Sequence, residues 1–144
     1  MNLSKLTCAS PTSLRYYFYA STPNLKAMST YFPNLTRVTV TTHSLPHTWM
    51  TDLLGFRQLT HLVLFVSINY LIIECDDLIA FLKAHQLGFQ FSLRTKGDKN
   101  LLQSLKNDLS QRLEHLSGAE FEEKYGSQKK TSNIVIDDVT FYLP

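Results

Sequence analysis

Five histidines and two acidic clusters are the side chains of this 144-residue sequence that could most readily carry chemistry. His43 and His47 are four residues apart, a spacing that within a helix would present both imidazoles to one zinc ion. Pro46 lies between them and disrupts a helix there, so we expect both histidines in loop or repeat positions. The remaining histidines are isolated in the sequence: His61, His85 and His115.

The acidic clusters are Glu74 with Asp76 and Asp77, and the pair Asp137-Asp138. A metal site or an acid–base pair would require these carboxylates to converge in the fold. We expect the first cluster to begin a helix and the second to be solvated at a strand edge. The patterns G-x-S-x-G, H-E-x-x-H, G-x-x-x-x-G-K-[ST] and G-x-G-x-x-G are absent. The sequence therefore predicts no enzyme, no cofactor and no metal site.

Composition and charge narrow the classes of partner and compartment. The net charge is only +2, which does not indicate a nucleic-acid partner, and the longest apolar runs are 62–66 and 70–73. A membrane span needs about 20 apolar residues, so we expect no membrane partner. Cys8 and Cys75 can form at most one disulfide, and Cys75 follows an apolar run, which favours a buried, reduced thiol. Residues 1–14 do not resemble a secretory signal, and we expect an intracellular protein, cytoplasmic or nuclear.

Arg15 and the neighbouring tyrosines could in principle bind bases, because aromatic rings stack on them. The near-neutral charge balance argues against that function, and we expect the segment 14–19 to pack as a strand. Leu3, Leu6 and Cys8 are spaced as another strand. Both segments cannot be regular repeat strands at so short a separation, so the sequence predicts an irregular N-terminal part.

A pattern of the form L-T-x-[V/L]-x-[V/L] occurs twice, beginning once at Leu35 and again at Leu59. Its alternating apolar positions predict a short strand with one buried face, and equal spacing predicts that the two strands stack in parallel. The corresponding residues are Leu35, Val38 and Val40 in the first copy and Leu59, Leu62 and Leu64 in the second.

The segments between the predicted strands have helical spacing. Apolar residues recur at helical intervals over 24–32 and 48–56, and a third helix is expected after Asp76-Asp77. Strict alternation over 87–93 predicts the next strand, with Phe89 and Phe91 as the counterparts of Leu62 and Leu64.

The C-terminal part is predicted to contain one long amphipathic helix, from Asp98 to Leu116, because its leucines recur every three or four residues. Gly118 would end that helix, and a second short helix is expected over 119–125. A polar surface loop over 126–133 and a single last strand over 134–143 complete the prediction.

These features resemble the leucine-rich repeat, and in particular the irregular intracellular repeats of F-box leucine-rich-repeat proteins. The resemblance is best over 25–93, although His43 and Ser67 occupy the position of the usual asparagine. It implies an α/β fold: a short solenoid of parallel strands and helices with a helical C-terminal cap. The whole chain, 1–144, would be one such domain, with an irregular part over 1–22, the best-defined repeats over 23–94 and a capping helix and strand over 95–144.

The resemblance also implies a function. F-box proteins of this kind are substrate receptors of cullin-RING ubiquitin ligases, but the F-box itself is absent from this sequence. We expect a non-enzymatic protein–protein interaction module, with the substrate-recognition part of a ubiquitin-ligase receptor as its narrower form. The alternative is a small intracellular α/β enzyme with a site near the acidic clusters.

The strand positions that alternate with the buried ones are the candidate binding surface, because repeat proteins bind on their strand face. Val63 and Phe65 are apolar at positions expected to face solvent, so either a partner contacts them or the long helix or a neighbouring chain covers them. The residues predicted to contact a protein partner are Arg37, Thr39, His61, Val63, Phe65, Gln90 and Arg94.

Overall fold

A computed structural model describes residues 12–18, 24–67, 73–96, 102–125, 132–136 and 139–143. The protein is α/β, with a seven-stranded, mostly parallel sheet in the order β1-β2-β3-β4-β6-β7-β5. The strands are β1 Ser13–Phe18, β2 Arg37–Thr42, β3 His61–Ser67, β4 Gln90–Lys96, β5 Glu114–Ser117, β6 Asn133–Ile136 and β7 Val139–Tyr142. The helices are α1 Leu25–Tyr31, α2 Trp49–Leu53, α3 Cys75–Ala84, α4 Gln103–Arg112 and α5 Gly118–Tyr125.

The first three strands pair in parallel at one constant offset. Val38 is the partner of Leu62, and Val40 that of Leu64, which confirms the predicted register between β2 and β3. The same offset joins β1 to β2, where Leu14 is the partner of Val38.

The next strand is shifted relative to the prediction. Leu62 pairs with Phe91 rather than with Phe89, so the predicted register between β3 and β4 is wrong. Phe89 precedes the strand, after a turn in which Gly88 has a φ of 89°.

A threonine directly before β2 and another directly before β3 connect each of these two strands to the preceding unit. The hydroxyl of Thr36 donates to the carbonyl of Thr12 over 3.0 Å, and the hydroxyl of Thr60 donates to the carbonyl of Thr36 over 2.9 Å. Each carbonyl also accepts two backbone N–H donors; those on Thr36 come from Thr60 and His61. Thr36 and Thr60 therefore connect neighbouring strands from equivalent positions, and these positions differ from that of the usual asparagine, which His43 and Ser67 occupy.

The predicted helices of the first three units are confirmed, and they bury the expected residues. Leu25 and Met28 of α1 are fully buried, as is Leu53 of α2. The Asn24 side chain caps α1 by accepting a hydrogen bond from the Ala27 N–H. Helix α3 has Asp76 and Asp77 in its first turn, where negative charges interact favourably with the helix dipole.

One hydrophobic core lies between the sheet and helices α1–α4. Its sheet side comes from residues of β2, β3, β4, β6 and β7, and its helix side includes Leu105 and Leu109 of α4. The sheet residues that belong to this core and have 2% or less exposure are Val38, Val40, Leu62, Leu64, Val66, Phe91, Leu93, Ile134, Ile136 and Phe141.

The C-terminal part differs from the prediction in three ways. The long helix predicted from Asp98 to Leu116 ends with α4 at Arg112, because the chain becomes extended at Leu113 and Leu116 belongs to β5, while residues 98–101 lie outside the described residues. The single last strand predicted over 134–143 is an antiparallel hairpin of β6 and β7. Asn133, predicted in a surface loop, begins β6 and is buried, and Ser132 is buried beside it. Leucine spacing alone could not show that Leu113 and Leu116 serve a strand, since spacings of three and four residues also fit a helix.

Helix α5 lies on the other face of the sheet. It connects β5 to β6, which run in the same direction. Helices α1–α4 carry the chain across the sheet from β1 towards β5, whereas α5 carries it back past β7 to β6. Crossovers between parallel strands are almost always right-handed, so this reversal places α5 on the face away from the core. In agreement, Lys124 of α5 lies 4.0 Å from the Glu114 carboxylate, and Tyr142 and Thr140 of β7 are buried. Among the described helices, none is long and apolar enough to cross a membrane.

Candidate functional site

The residues of β1–β4 that point away from α1–α4 form a surface that we call the open face. Because the strands are in register, its members align in three rows that run across the sheet. The rows are Ser13, Arg37, His61 and Gln90; Arg15, Thr39, Val63 and Ser92; and Tyr17, Thr41, Phe65 and Arg94. All seven residues predicted to contact a partner belong to these rows.

Exposure separates the open face from the core face of the same strands. In β2 the burial alternates strictly, with Val38 and Val40 buried while Arg37 is exposed and Thr39 half-buried. Val63 and Phe65 are half-buried at the centre of the open face. Helix α4, which was one candidate cover for them, packs into the core on the opposite side. The open face thus has an apolar centre and an exposed polar margin.

His61 lies between Arg37 and Gln90 in the first row. Burial lowers the pKa of His61, the positive charge of Arg37 lowers it further, and a hydrogen bond with Gln90 opposes both effects. Its Nδ1 is 2.9 Å from the Thr60 hydroxyl. Because the pKa is below its usual value near 6.5, the imidazole is mainly neutral at pH 7 and acts as a hydrogen-bonding group.

Arg94 lies over the ring of Phe65, with 5.3 Å between its guanidinium carbon and the ring centroid. A cation at this distance is attracted to the electron-rich face of the ring. The contact orders the Arg94 side chain across the centre of the open face while leaving the residue exposed. The guanidinium is therefore held in place with its hydrogen-bond donors still accessible.

The charge of the open face has one sign. Arg15, Arg37 and Arg94 are all exposed, and the twelve residues in its three rows include no carboxylate. Within the part of the chain that the structure describes, none of the three arginines has a carboxylate at ion-pair distance. The nearest acidic side chain along the first row is Glu114 of β5, on the far side of β6 and β7, where the Tyr142 hydroxyl donates to it.

The first acidic cluster lies elsewhere, at the start of α3. Asp76 forms an ion pair with Arg112 at the end of α4, so it joins two helices. Glu74 and Asp77 border a groove of about 520 Å³ between α2 and α3, which Trp49 and Phe81 line with apolar surface. Leu54, an exposed apolar side chain, also borders the groove. Glu74 and Asp77 lie at the start of α3, where carboxylates commonly stabilise a helix by interacting with its dipole.

Of the groups that the alternative enzyme would use, the described residues bring His47 together with Glu74 and Asp77 at the border of this groove and leave His85 apart from them. His85 follows the last residue of α3, whereas Asp76 and Asp77 are in its first turn, so the helix separates them. The pair Asp137-Asp138 lies outside the described residues. In the ranges that the structure describes, no group of three or more His, Cys, Asp or Glu side chains could hold a metal ion.

Cys75 is a free and buried thiol at the start of α3. Burial raises its pKa, Arg112 opposes the shift, and Asp108 adds to it. A thiol with a raised pKa is a poor nucleophile, so Cys75 belongs to the packing, as the sequence indicated. Cys8, Leu3 and Leu6 lie outside the described residues.

The sequence analysis did not place the residues of β1 on the open face, and the larger of those that lie there are Arg15 and Tyr17. Arg15 and Tyr17 lie beside Thr39 and Thr41, and Tyr17 is 53% exposed. The signal was present, because T-x-[L/V]-x recurs at Thr12, Thr36 and Thr60. Searching for threonine rather than leucine would have placed β1 in the repeat and both residues on the open face.

Comparison of this chain with protein-family models, with curated proteins and with solved structures finds no significant match.

Proposed function

We propose that this chain is a protein-binding module and that its open face is the binding surface. The observation that carries the proposal is the asymmetry of the sheet: α1–α4 pack on one face of β1–β4, while the other face has the half-buried pair Val63 and Phe65 at its centre and exposed polar side chains at its margin. Apolar groups at the centre of a polar rim are the usual anatomy of a protein interface.

The architecture of a leucine-rich-repeat protein is part of the proposal. Its support is the constant register of β1, β2 and β3, with a helix returning the chain between successive strands. The mixed pairing of β5, β6 and β7 would then be a terminal unit of different form, as the ends of repeat arrays often are. Substrate recognition for a ubiquitin ligase is the narrower form, and it depends on the resemblance of the repeats alone.

The test is affinity capture followed by mass spectrometry, with the wild-type chain compared against Phe65→Ala. Interface energy concentrates in a few residues, and an aromatic side chain at the centre is the strongest candidate. We expect Phe65→Ala to reduce the yield of specific partners while cooperative unfolding is retained. Tyr31→Ala is the matched control, because Tyr31 is an aromatic residue on the helix side with 67% exposure.

The results separate the possible functions. Partners lost with Phe65→Ala but kept with Tyr31→Ala would support binding at the open face. Equal recovery with all three proteins would remove this face as the binding surface. Cullin or Skp1-like subunits among the captured proteins would support the ubiquitin-ligase form, and their absence beside other specific partners would leave only the general form.

A further inference from the structure

The arrangement of charge on the open face points to the chemistry of its partner. We propose that the open face binds an acidic, extended protein segment in which carboxylates flank an apolar side chain. This inference rests on the proposed function, and it adds the class of partner. Three observations carry it: the single sign of the charge, the positions of the arginines, and the apolar residues between them.

Among the described residues, the three exposed arginines of the open face have no carboxylate at ion-pair distance. Arg15, Arg37 and Arg94 are the charged residues of its three rows, and the pairing of Glu114 with Tyr142 and Lys124 takes place at the opposite end of the sheet. Like charges that share a surface without counter-charges raise its potential and attract anions. Arginine is also the cation best suited to bind carboxylates, because its fork of N–H donors matches the two oxygens.

The positions of the arginines match an extended segment. Arg37 is in the first row on β2 and Arg94 is in the third row on β4. With strands about 4.8 Å apart and a rise of about 3.3 Å per residue, their Cα atoms are roughly 16 Å apart. An extended peptide covers that distance in about five residues. Carboxylates at the two ends of such a segment could therefore reach one arginine each.

The apolar residues lie between these two arginines. Val63 and Phe65 are on β3, the strand between β2 and β4. An apolar side chain in the middle of the bound segment would cover Val63 and the accessible edge of Phe65. The desolvation of that centre would strengthen the flanking ion pairs, because charges interact more strongly away from water.

The same geometry is less suited to a single-stranded nucleic acid. Binding of that kind stacks bases on the faces of aromatic rings. The Arg94 guanidinium already lies over the Phe65 ring, and Tyr17, the other aromatic residue of the three rows, is two strands away from Phe65 with Thr41 between them. The observations thus favour a protein segment, and a nucleic acid becomes an outcome that the test can detect.

The test uses three fluorescent probes on the full chain: a peptide of sequence EELVLEE, the matched neutral peptide QQLVLQQ, and a short oligothymidylate. We expect EELVLEE to bind at least about tenfold more tightly than QQLVLQQ, as arginine–carboxylate pairs at an interface predict. Binding should weaken sharply at about 1 M salt, where the screening length is about 3 Å. Equal binding of the two peptides would overturn the proposal, and tighter binding of the oligothymidylate would replace it with a nucleic-acid function.

The variants identify the site. The double substitution Arg37→Gln with Arg94→Gln should abolish the preference for EELVLEE, and Arg37→Lys with Arg94→Lys should keep part of it, because the charges remain. Arg57→Gln is the control, since Arg57 is an exposed arginine in the turn before β3. These residues are exposed, so we expect all variants to melt as the wild type does. A preference that survives in the Gln double variant would overturn the assignment to the open face.

The same Gln double variant separates this inference from the proposed function. Captured partners that depend on Phe65 but are retained by the Gln double variant would leave the open face as the binding surface and refute an acidic partner. Partners that depend on neither substitution would refute both.

Discussion

The hydroxyl of Thr60 repeats, one unit later, the hydrogen bond that the hydroxyl of Thr36 makes. Each donates to the backbone carbonyl of the equivalent threonine in the preceding unit, over 2.9 Å for Thr60 and 3.0 Å for Thr36. The two bonds differ in their surroundings, because the Thr60 bond is partly buried and the Thr36 bond is exposed. This pair of sites offers a direct measurement of what the repeated threonine contributes.

Replacing either threonine by valine removes the hydroxyl and keeps the shape. We expect Thr60→Val to lower the free energy of unfolding by about 1 kcal/mol, and Thr36→Val to lower it less, since a lost hydrogen bond costs more when its acceptor is shielded from water. Urea denaturation of both variants would measure the difference. No loss in Thr60→Val would show that the backbone donors alone hold the units together, and equal losses in the two variants would show that burial does not strengthen the bond.

The register of the sheet predicts a larger loss of stability for a substitution at Leu62. This residue is fully buried and pairs with Val38 on one side and Phe91 on the other. Leu62→Ala should lower the free energy of unfolding by about 2–5 kcal/mol, because truncating a core leucine loses its transfer energy and leaves a cavity. Val63→Ala, on the open face of the same strand, is the matched control and should cost clearly less. Denaturant melts that rank the two variants in the opposite order would contradict the register.

The sequence predicted the fold well where local spacing and register agree, and poorly where pairing is distant. Val38 and Leu62 are in equivalent positions of two similar segments, so an offset read from the sequence is also the offset in the sheet. Leu62 and Phe91 are not in equivalent positions, because the connection to β4 contains the longer helix α3 and the turn at Gly88. The observed partner of Leu62 is therefore two residues beyond Phe89, the expected one. Leu116 of β5 pairs with Thr140 of β7, a contact that no local pattern near either residue reveals.

The candidate site could be predicted as far as its strands were. Arg37, His61 and Gln90 alternate with buried residues, which is enough to place them on one face. Arg15 was missed because β1 was not recognised as a unit of the repeat. The contact of Arg94 with Phe65 was not predictable either, since the two residues are direct partners only in the observed register of β3 and β4 and not in the expected one.

The packing of α1 against α2 depends on the absence of a side chain at Gly55. A Cβ added there would lie 2.5 Å from the Ser29 Oγ and 2.9 Å from the Ser29 Cβ. The Ser29 hydroxyl is held by its bond to the Lys26 carbonyl, and the residue is buried, so it has little freedom to move away. Gly55→Ala should therefore lower the free energy of unfolding by about 1–3 kcal/mol, the usual cost of overpacking.

A double-mutant cycle tests this contact. Ser29→Gly removes both clashing atoms, at a cost of about 0.5–1 kcal/mol for a glycine within a helix. Combined with Gly55→Ala, it should lower stability by less than the sum of the two single changes. Gly88→Ala is the contrasting control, because its cost comes from a φ of 89° and Ser29→Gly cannot relieve it. Additive losses for Ser29 and Gly55 would show that they do not clash.

The imidazole of His85 predicts a dependence of stability on pH. Its Nδ1 lies 2.9 Å from the Phe81 carbonyl and must donate to it, and its ring stacks on Phe89 with 3.9 Å between centroids. The remaining nitrogen, Nε2, is buried and has no hydrogen-bond partner among the described residues. Protonation would place a charge on that nitrogen in apolar surroundings. Burial accordingly lowers the pKa of His85, and its bond to Phe81 only partly opposes the shift.

A histidine whose pKa is lower in the folded chain weakens that chain in acid. Above the unfolded value of about 6.5 both states are neutral at this site, and the pH has no effect through it. Below about 6.5 the unfolded chain takes up the proton first, so the free energy of unfolding falls as the pH decreases towards the folded pKa. His61 contributes in the same direction, because its pKa is also lowered.

Urea melts between about pH 7 and pH 5 would measure this loss, in a range above the usual titration of carboxylates. His85→Phe keeps an aromatic ring beside Phe89 and removes the proton-binding site, so its stability should decline less steeply with acid than that of the wild type. His61→Gln should remove a further part of the slope. The control is Gln58→Ala, an exposed position without a titratable group in the turn before β3, which should follow the wild-type curve. A wild-type slope in His85→Phe would mean that acid reaches Nε2 without opening the fold, and that this nitrogen is solvated in the native protein.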